Sequence, residues 1–354
     1  MSDYKALLEQ IDETPSSAEL INLYERAIRL ADRDGLTADA FYLRQDLITE
    51  CNEYGYFMKA IVAFSHNLGR VDEGEFDFDY NMVWDYKAVL ARIAAFDSIS
   101  MTQINDMLED FRLRMRANGA TDSAYNCRRL RIAFIPKDKE MASDAKKALI
   151  TGKRDSHTDC KACLQHHYVE YELSFGDYNK ALNLYEPIKS GKIGCNMTPL
   201  RTYAYLVNPA HRHGDAELAK KASEKGIQLI GNKSGFLELI GFHLIYLSEM
   251  NRRKGINLFK KALLWALNET QTPWSVMNFN LGAYLLFARL SAERPKGKIM
   301  LPQAYPLHTA SGDYVYQDLA EHHRSEYLKR AEQFDQRNGN NYYTELLKEE
   351  ENRL

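Results

Sequence analysis

The sequence predicts an all-α protein, an α-solenoid in which antiparallel helical hairpins stack into a single elongated domain spanning residues 1–354. Apolar residues recur at helical spacing along nearly the whole chain, and no run of alternating β-branched residues is typical of a strand. Only 9 prolines and 19 glycines interrupt long windows rich in Ala, Leu, Glu and Lys. The third observation is an internal repeat, which indicates stacked hairpins.

The repeat is a short pattern in which a turn residue, usually glycine, precedes a small residue by five positions and an aromatic or small residue by nine. The four copies are Gly55 with Ala60 and Phe64, Gly176 with Ala181 and Tyr185, Gly214 with Ala219 and Ser223, and Met250 with Gly255 and Phe259. Two antiparallel helices approach closely only where small side chains face each other, and glycine permits the chain reversal. Since one hairpin cannot bury its apolar face alone, the pattern predicts a stack with a concave surface.

The segment GDYNKALNLYEPI (176–188) resembles the second half of a tetratricopeptide repeat, whose period is about 34 residues. The likeness covers residues 40–265, without the Trp-x-x-Leu-Gly opening of that family and without most of its closing prolines. The chain as a whole is similar to a group of bacterial tetratricopeptide-repeat proteins, through DCKAC (159–163), Cys195, LIGNKSGFLELIGFHLIYL (229–247) and FDQRNGN (334–340). The resemblance implies a right-handed solenoid, a bacterial source, and a protein or peptide as the binding partner.

Several elements are predicted individually from their end signals. A first helix ends at Gly35, a hairpin over residues 81–118 ends at Asn118-Gly119, and another hairpin occupies 123–150. Three prolines and two glycines predict a loop insertion over residues 292–314. A long amphipathic helix follows and ends at Asn338-Gly339, and residues 338–354 are predicted to be a polar capping segment.

Composition narrows the class of protein. Against 46 Lys and Arg stand 49 Asp and Glu, so the net charge of −3 provides no global attraction to nucleic acid or to an anionic membrane. Five cysteines are an odd and sparse set, which favours a reducing compartment over a disulfide framework. The most apolar stretch, residues 236–247, is too short to span a bilayer, and the first residues do not resemble a secretory signal. We therefore expect a cytoplasmic protein without a membrane partner.

No catalytic motif was found. The segments 152–154, 190–194 and 231–235 contain Gly and Lys but do not complete a phosphate-binding loop, and no zinc-protease or dinucleotide motif occurs. The sequence therefore predicts neither an enzyme nor a cofactor. Basic residues cluster between 126 and 154 but are diluted by acidic ones, which favours a solvated helix face over a nucleic-acid site.

Three cysteines form a candidate metal site. Cys160 and Cys163 are spaced to share one face at the start of a helix, and Cys195 lies at the corresponding stage of the next repeat. Stacking would bring the three thiols together around zinc, with His157 or His166 as the fourth ligand. The alternative, which the sequence favours, is that these cysteines fill small gaps between helices. A redox role is disfavoured because no βαβ pattern surrounds the pair.

The concave surface is the predicted functional site, and its binding residues are polar where a purely structural helix favours Ala or Leu. They are Tyr42, Gln45, Thr49, Asn52, His166, Glu170, Arg201, Asn208, His211 and Arg212. In particular, Arg201, His211 and Arg212 are predicted to clamp a carboxylate such as the C-terminus of a peptide. The predicted function is a protein- or peptide-binding scaffold. The alternatives are a zinc-containing helical module, a peptide-responsive regulatory protein, and groove residues that are polar only because they face water.

Overall fold

The computed structural model describes residues 2–354, apart from the side chain of Ser2, and shows seventeen α-helices. Their bounds are α1 Ser2–Glu13, α2 Ala18–Arg33, α3 Thr37–Tyr54, α4 Phe57–Asp72, α5 Tyr80–Ile93, α6 Met101–Ala117, α7 Ser123–Ala133, α8 Lys139–Thr151, α9 Lys161–Phe175, α10 Tyr178–Lys189, α11 Leu200–Arg212, α12 Ala216–Ile230, α13 Leu237–Met250, α14 Arg252–Ala266, α15 Pro273–Glu293, α16 Tyr316–Asn338 and α17 Tyr342–Glu351. The predicted all-α class is confirmed. No helix in this described part of the chain combines the length and apolarity needed to cross a membrane.

Helix ends follow the expected signals. Gly55 ends α3 and Gly339 ends α16, both with a positive φ that glycine adopts without strain. Ser100 begins α6 in a capping box, in which its hydroxyl accepts the Gln103 amide and the Gln103 side chain accepts the Ser100 amide. The turn between α7 and α8 lies at residues 134–138, where a hairpin reversal was expected.

Consecutive helices pack against each other in pairs, namely α3 with α4, α7 with α8, α9 with α10, α11 with α12, and α13 with α14. The small residues of the repeat are buried at these contacts, including Ala60, Ala181, Ala219 and Gly255. The first helices of successive pairs also contact one another, from α9 through α11 and α13 to α15. These first helices therefore form a continuous layer.

Segments that are distant in sequence close this layer into a ring. The side chain of Arg337 donates to the carbonyls of Ala94 and Phe96, at 2.8 Å each. The hydroxyl of Tyr343 donates to the Ile135 carbonyl at 2.7 Å. The C-terminal helices α16 and α17 thus contact the ends of α5 and α7, which an open elongated array does not require.

The segment 292–314 is anchored rather than free. Lys296–Lys298 forms strand β1 and pairs antiparallel with strand β2, Asp313–Val315, in a register that places Gly297 opposite Tyr314. Leu301 and Tyr305 between the strands are buried. Apolar side chains therefore fix a loop that the sequence predicted only as an insertion.

Helix α17 is amphipathic rather than uniformly polar. Its side chains Tyr343, Leu347 and Glu350 are buried, whereas residues on the opposite face are exposed. The predicted capping segment therefore also contributes to the interior of the ring.

Candidate functional site

A central cavity of about 260 Å³ lies inside the ring. Its wall includes residues of α5, α7, α9, α11, α13, α15 and α17, so the layer of first helices faces this partly open cavity. The polar and charged wall residues are Arg92, Arg131, Lys137, His167, Glu170, Ser174, Arg201, Tyr205, Asn208, Arg212, Glu238, Asn278 and Glu350.

Charge in this wall is unbalanced, with five Lys and Arg side chains against three carboxylates. Arg92 pairs with Glu238 at 3.4 Å, and Arg212 pairs with Glu350. Within each of these two ion pairs the opposite charges cancel. The remaining charges leave the cavity with a positive excess.

Arg131, which is half-buried, and Arg201, which is buried, are the two arginines of this excess. Neither forms an ion pair with any carboxylate of residues 2–354, and the Nε atom of Arg201 is buried without a partner. Burial, together with the charges of Arg201 and Arg92, lowers the pKa of Arg131 well below its usual value. Because arginine nevertheless keeps its proton in proteins, the cavity holds two guanidinium groups whose charge is not compensated.

An aromatic row lines the same cavity. The rings of Tyr205 and Phe242 are 5.2 Å apart, and those of Phe242 and Trp274 are 6.3 Å apart. Burial, followed by the charge of Glu170, raises the pKa of Tyr205 well above its usual value, so this phenol stays protonated. The wall therefore combines apolar area with a neutral hydroxyl donor.

Two amide side chains complete the polar lining. Asn208 donates to the Phe242 carbonyl at 2.9 Å, and Asn278 donates to the Trp274 carbonyl at 2.7 Å. Those bonds use the Nδ2 groups, so the Oδ1 atoms remain as acceptors for a ligand N–H.

His166, His167 and Glu170 bring three metal-ligand atoms within 4.8 Å of one another in α9. His166 also lies 3.2 Å from the hydroxyl of Thr202 through Nδ1. Burial, His167 and the charge of Arg201 lower the pKa of His166 well below its usual value. The nearby charges of Arg201 and Arg131 oppose a metal cation at this cluster as they oppose a proton on His166.

The predicted groove residues divide into two sets. Glu170, Arg201, Asn208 and Arg212 line the cavity. His166 lies directly behind that wall. Arg212 is occupied by Glu350, and His211 by Glu249 at 2.7 Å, so the structure does not assemble the three-residue clamp around Arg201.

The four groove residues expected from α3 lie away from the cavity. Tyr42 and Thr49 are exposed, Gln45 is buried, and Asn52 donates to the carbonyl of Ile48 at 2.8 Å. Helix α3 packs against α5 and against the turn at residues 234–236, and none of its residues lines the cavity.

Sequence reasoning missed Arg92, Arg131, Tyr205 and Glu238. Arg131 was assigned to a solvated basic stretch, yet its neighbour Arg128 is buried in an ion pair and Arg131 itself faces the cavity. A usable signal was present in FLELIGFHLIYL, where Glu238 interrupts an apolar run. A charge inside such a run indicates either a buried ion pair or a cavity.

The three cysteines of the candidate metal site lie together at the start of α9 and in the loop before α11. Their sulfur atoms are all within 4.8 Å, and Cys163 Sγ is 3.5 Å from Cys195 Sγ. His157 is outside this group, with its ring 5.8 Å from that of Tyr80. The structure therefore brings together the predicted thiols but neither of the two predicted histidines, since His166 belongs to the separate group in α9.

Comparisons with known proteins identified no relatives of this chain. No family model matches the chain. A search of curated proteins and a search of solved structures likewise found no match.

Proposed function

We propose that the protein is a peptide-binding protein, a right-handed solenoid of tetratricopeptide-like hairpins closed on itself, and that its cavity holds the C-terminal carboxylate of a peptide. The observation that supports this proposal most strongly is that the guanidinium groups of Arg131 and Arg201 line the cavity without a carboxylate partner. Arginine presents a planar fork of donors that matches a carboxylate.

Energetics support an anionic ligand. Burying a charge without a partner costs several kcal/mol in proteins. A carboxylate placed between Arg131 and Arg201 would offset that cost, whereas a neutral or cationic ligand would not. The free protein therefore carries an unfavourable charge arrangement that an anion relieves.

The lining favours a peptide over an inorganic anion. Tyr205, Phe242 and Trp274 offer apolar area for a side chain, and the Oδ1 atoms of Asn208 and Asn278 offer acceptors for backbone N–H groups. The volume of about 260 Å³ lies below the range of about 300–1,000 Å³ that drug-sized ligands fill, so it suits the end of a peptide rather than a folded domain.

A peptide-retention experiment tests this proposal. The full chain is mixed with a random-sequence hexapeptide pool, either as free acids or as C-terminal amides, and retained peptides are measured by mass spectrometry after gel filtration. We expect the free acids to be retained at least tenfold better than the amides, because only the acids provide a carboxylate for the arginines.

Two variants that remove a cavity charge are compared with a control variant that removes a charge from α7 outside the cavity. Arg131→Met and Arg201→Met remove a cavity charge while keeping side-chain length, and each should abolish retention. Arg129→Met removes a charge from α7 outside the cavity lining and should leave retention unchanged. Equal retention of amidated peptides, or unchanged retention in both cavity variants, would refute the proposal.

A further inference from the structure

We propose that Cys160, Cys163 and Cys195 bind one zinc ion through three thiolates, with a water molecule as the fourth ligand. This site is separate from the cavity and does not depend on the proposed peptide ligand. Binding replaces three thiol protons, so one hydrated Zn²⁺ and three S–H groups give one zinc–thiolate centre and three released protons.

The distances between the three sulfur atoms are consistent with their binding the same zinc ion. At a Zn–S distance of about 2.3 Å, tetrahedral geometry places two sulfur atoms about 3.8 Å apart. Cys163 Sγ and Cys195 Sγ are 3.5 Å apart, and Cys160 Sγ is within 4.8 Å of both. The three sulfurs thus already surround one point at close to metal-ligand spacing.

Backbone groups are arranged to stabilise thiolates. Cys160 is the N-cap of α9, and its sulfur accepts the amide of Cys163 at 3.5 Å. The positive end of the dipole of this helix therefore lies beside the pair. The hydroxyl of Thr198 donates to Cys163 Sγ at 3.9 Å.

The third sulfur has its own donors. The backbone amides of Met197 and Thr198 and the thiols of Cys160 and Cys163 all lie within hydrogen-bonding reach of the Cys195 sulfur. Thiolates are the form that binds zinc, so the loop before α11 prepares Cys195 as a ligand.

Contrast with the other cysteines argues against simple gap filling. Cys51 and Cys127 are fully buried. Cys160 and Cys195 are exposed, so they fill no gap in the core. An exposed cluster is also reachable by a metal ion from solvent.

The site lies where two cavity helices begin. Cys160 and Cys163 belong to the first turn of α9, which carries Glu170, and Cys195 precedes α11, which carries Arg201. A bound zinc ion would therefore fix the starts of two wall helices relative to each other.

Metal content of the reduced full-length protein tests the proposal directly. The chain is purified with a reductant, incubated with excess ZnCl₂, dialysed, and measured by elemental analysis. We expect one zinc per chain in the wild type and in Cys51→Ala, and loss of more than tenfold in zinc affinity in Cys195→Ser. Absence of bound zinc in the wild type, or its full retention in Cys195→Ser, would overturn the site.

A second measurement uses only the wild type, so it does not depend on variant folding. Alkylation followed by mass spectrometry is performed with ZnCl₂ and after removal of zinc by a chelator. We expect zinc to protect Cys160, Cys163 and Cys195 and to leave the two buried cysteines unaffected. Equal alkylation in both conditions, or recovery of Cys163 and Cys195 as a zinc-resistant disulfide under reducing conditions, would contradict the proposal.

Discussion

Arg128 and Arg131 lie one turn apart in α7, yet their surroundings are opposite. Arg128 pairs with Asp159, which also pairs with Lys87 at 2.9 Å. Burial alone would raise the pKa of Asp159, but Arg128, His167 and Lys87 hold it well below its usual value. Arg131 has no carboxylate partner and faces the cavity. One arginine is therefore committed to the fold, while the other remains free for a ligand.

The difference between Arg128 and Arg131 shows that some arginines of this interior stabilise the fold while others are available to bind a ligand. An ion pair that is already satisfied has little to gain from a ligand, so Arg128 is a poor binding residue. An unpaired guanidinium is costly in the free protein and for that reason has the most to gain from an anion.

The largest expected effect comes from breaking the satisfied network. Asp159→Asn removes the charge that compensates Lys87 and Arg128, both of which are buried. We expect a loss of about 3–5 kcal/mol in the free energy of unfolding at pH 7, measured by urea denaturation. Asp34→Asn disrupts only a surface pair with Arg33 and should leave the midpoint of urea denaturation nearly unchanged. Similar losses in the two variants would show that burial of the network is energetically unimportant.

Asp85 in α5 is the acidic counterpart of Arg131, a buried carboxylate without a cation. Burial, with the charges of Asp79 and Asp46, raises its pKa to about 8. A pKa that is higher in the folded state than in the unfolded state means that stability falls as pH rises from about 4 to 8. Asp85→Asn should remove that fall, giving a gain of about 3 kcal/mol at pH 6.

Urea denaturation of Asp85→Asn at pH 4 and pH 6 supplies the comparison. At pH 4 the carboxyl group is protonated in the folded state and about half protonated in the unfolded state, so the variant and the wild type should differ little. An equal effect at both pH values would assign the change to shape rather than to charge.

The variant Arg131→Met tests whether the charge of Arg131, unlike that of Arg128, is unfavourable in the free protein. Replacing an unpaired, half-buried cation by an apolar side chain of similar length should stabilise the free protein by about 1–3 kcal/mol while abolishing peptide retention. Thermal unfolding of this variant and of Arg129→Met measures the effect, and the control should lie within about 0.5 kcal/mol of the wild type. Destabilisation by Arg131→Met would indicate that the guanidinium is already compensated.

The smallest expected effect concerns ring closure. Tyr343 accepts a hydrogen bond from Trp274 Nε1 at 2.9 Å and donates to the Ile135 carbonyl at 2.7 Å. Tyr343→Phe leaves both partners buried and unsatisfied, so we expect a loss of about 1–2 kcal/mol in urea denaturation. Tyr342→Phe, at an exposed neighbour, is the matched control and should be neutral. A neutral Tyr343→Phe would mean that the ring closes through apolar contacts alone.

Local patterns in the sequence predicted much of the fold. Helical periodicity and end signals identified the all-α class, the small residues at helix contacts and the ends of α3 and α16. They also placed Glu170, Arg201 and Asn208 among the lining residues, because a concave layer of first helices follows from the repeat.

Two features lay beyond local patterns. Periodicity identifies the polar face of a helix, but it does not distinguish a face toward water from a face toward an internal cavity, so Arg131 was assigned to solvent. The contacts of Arg337 with Ala94 and Phe96 join residues more than two hundred positions apart, and no spacing rule encodes such a meeting. The cavity depends on that meeting.

The contacts that close the ring also affect the cooperativity of unfolding. In an open repeat array each hairpin depends only on its neighbours, so terminal hairpins can fray independently of the rest. Here Tyr343 and Arg337 join α17 and the end of α16 to residues near α5 and α7, so opening one region removes support from a distant one. The helices around the cavity should consequently exchange their amide hydrogens as one cooperative unit.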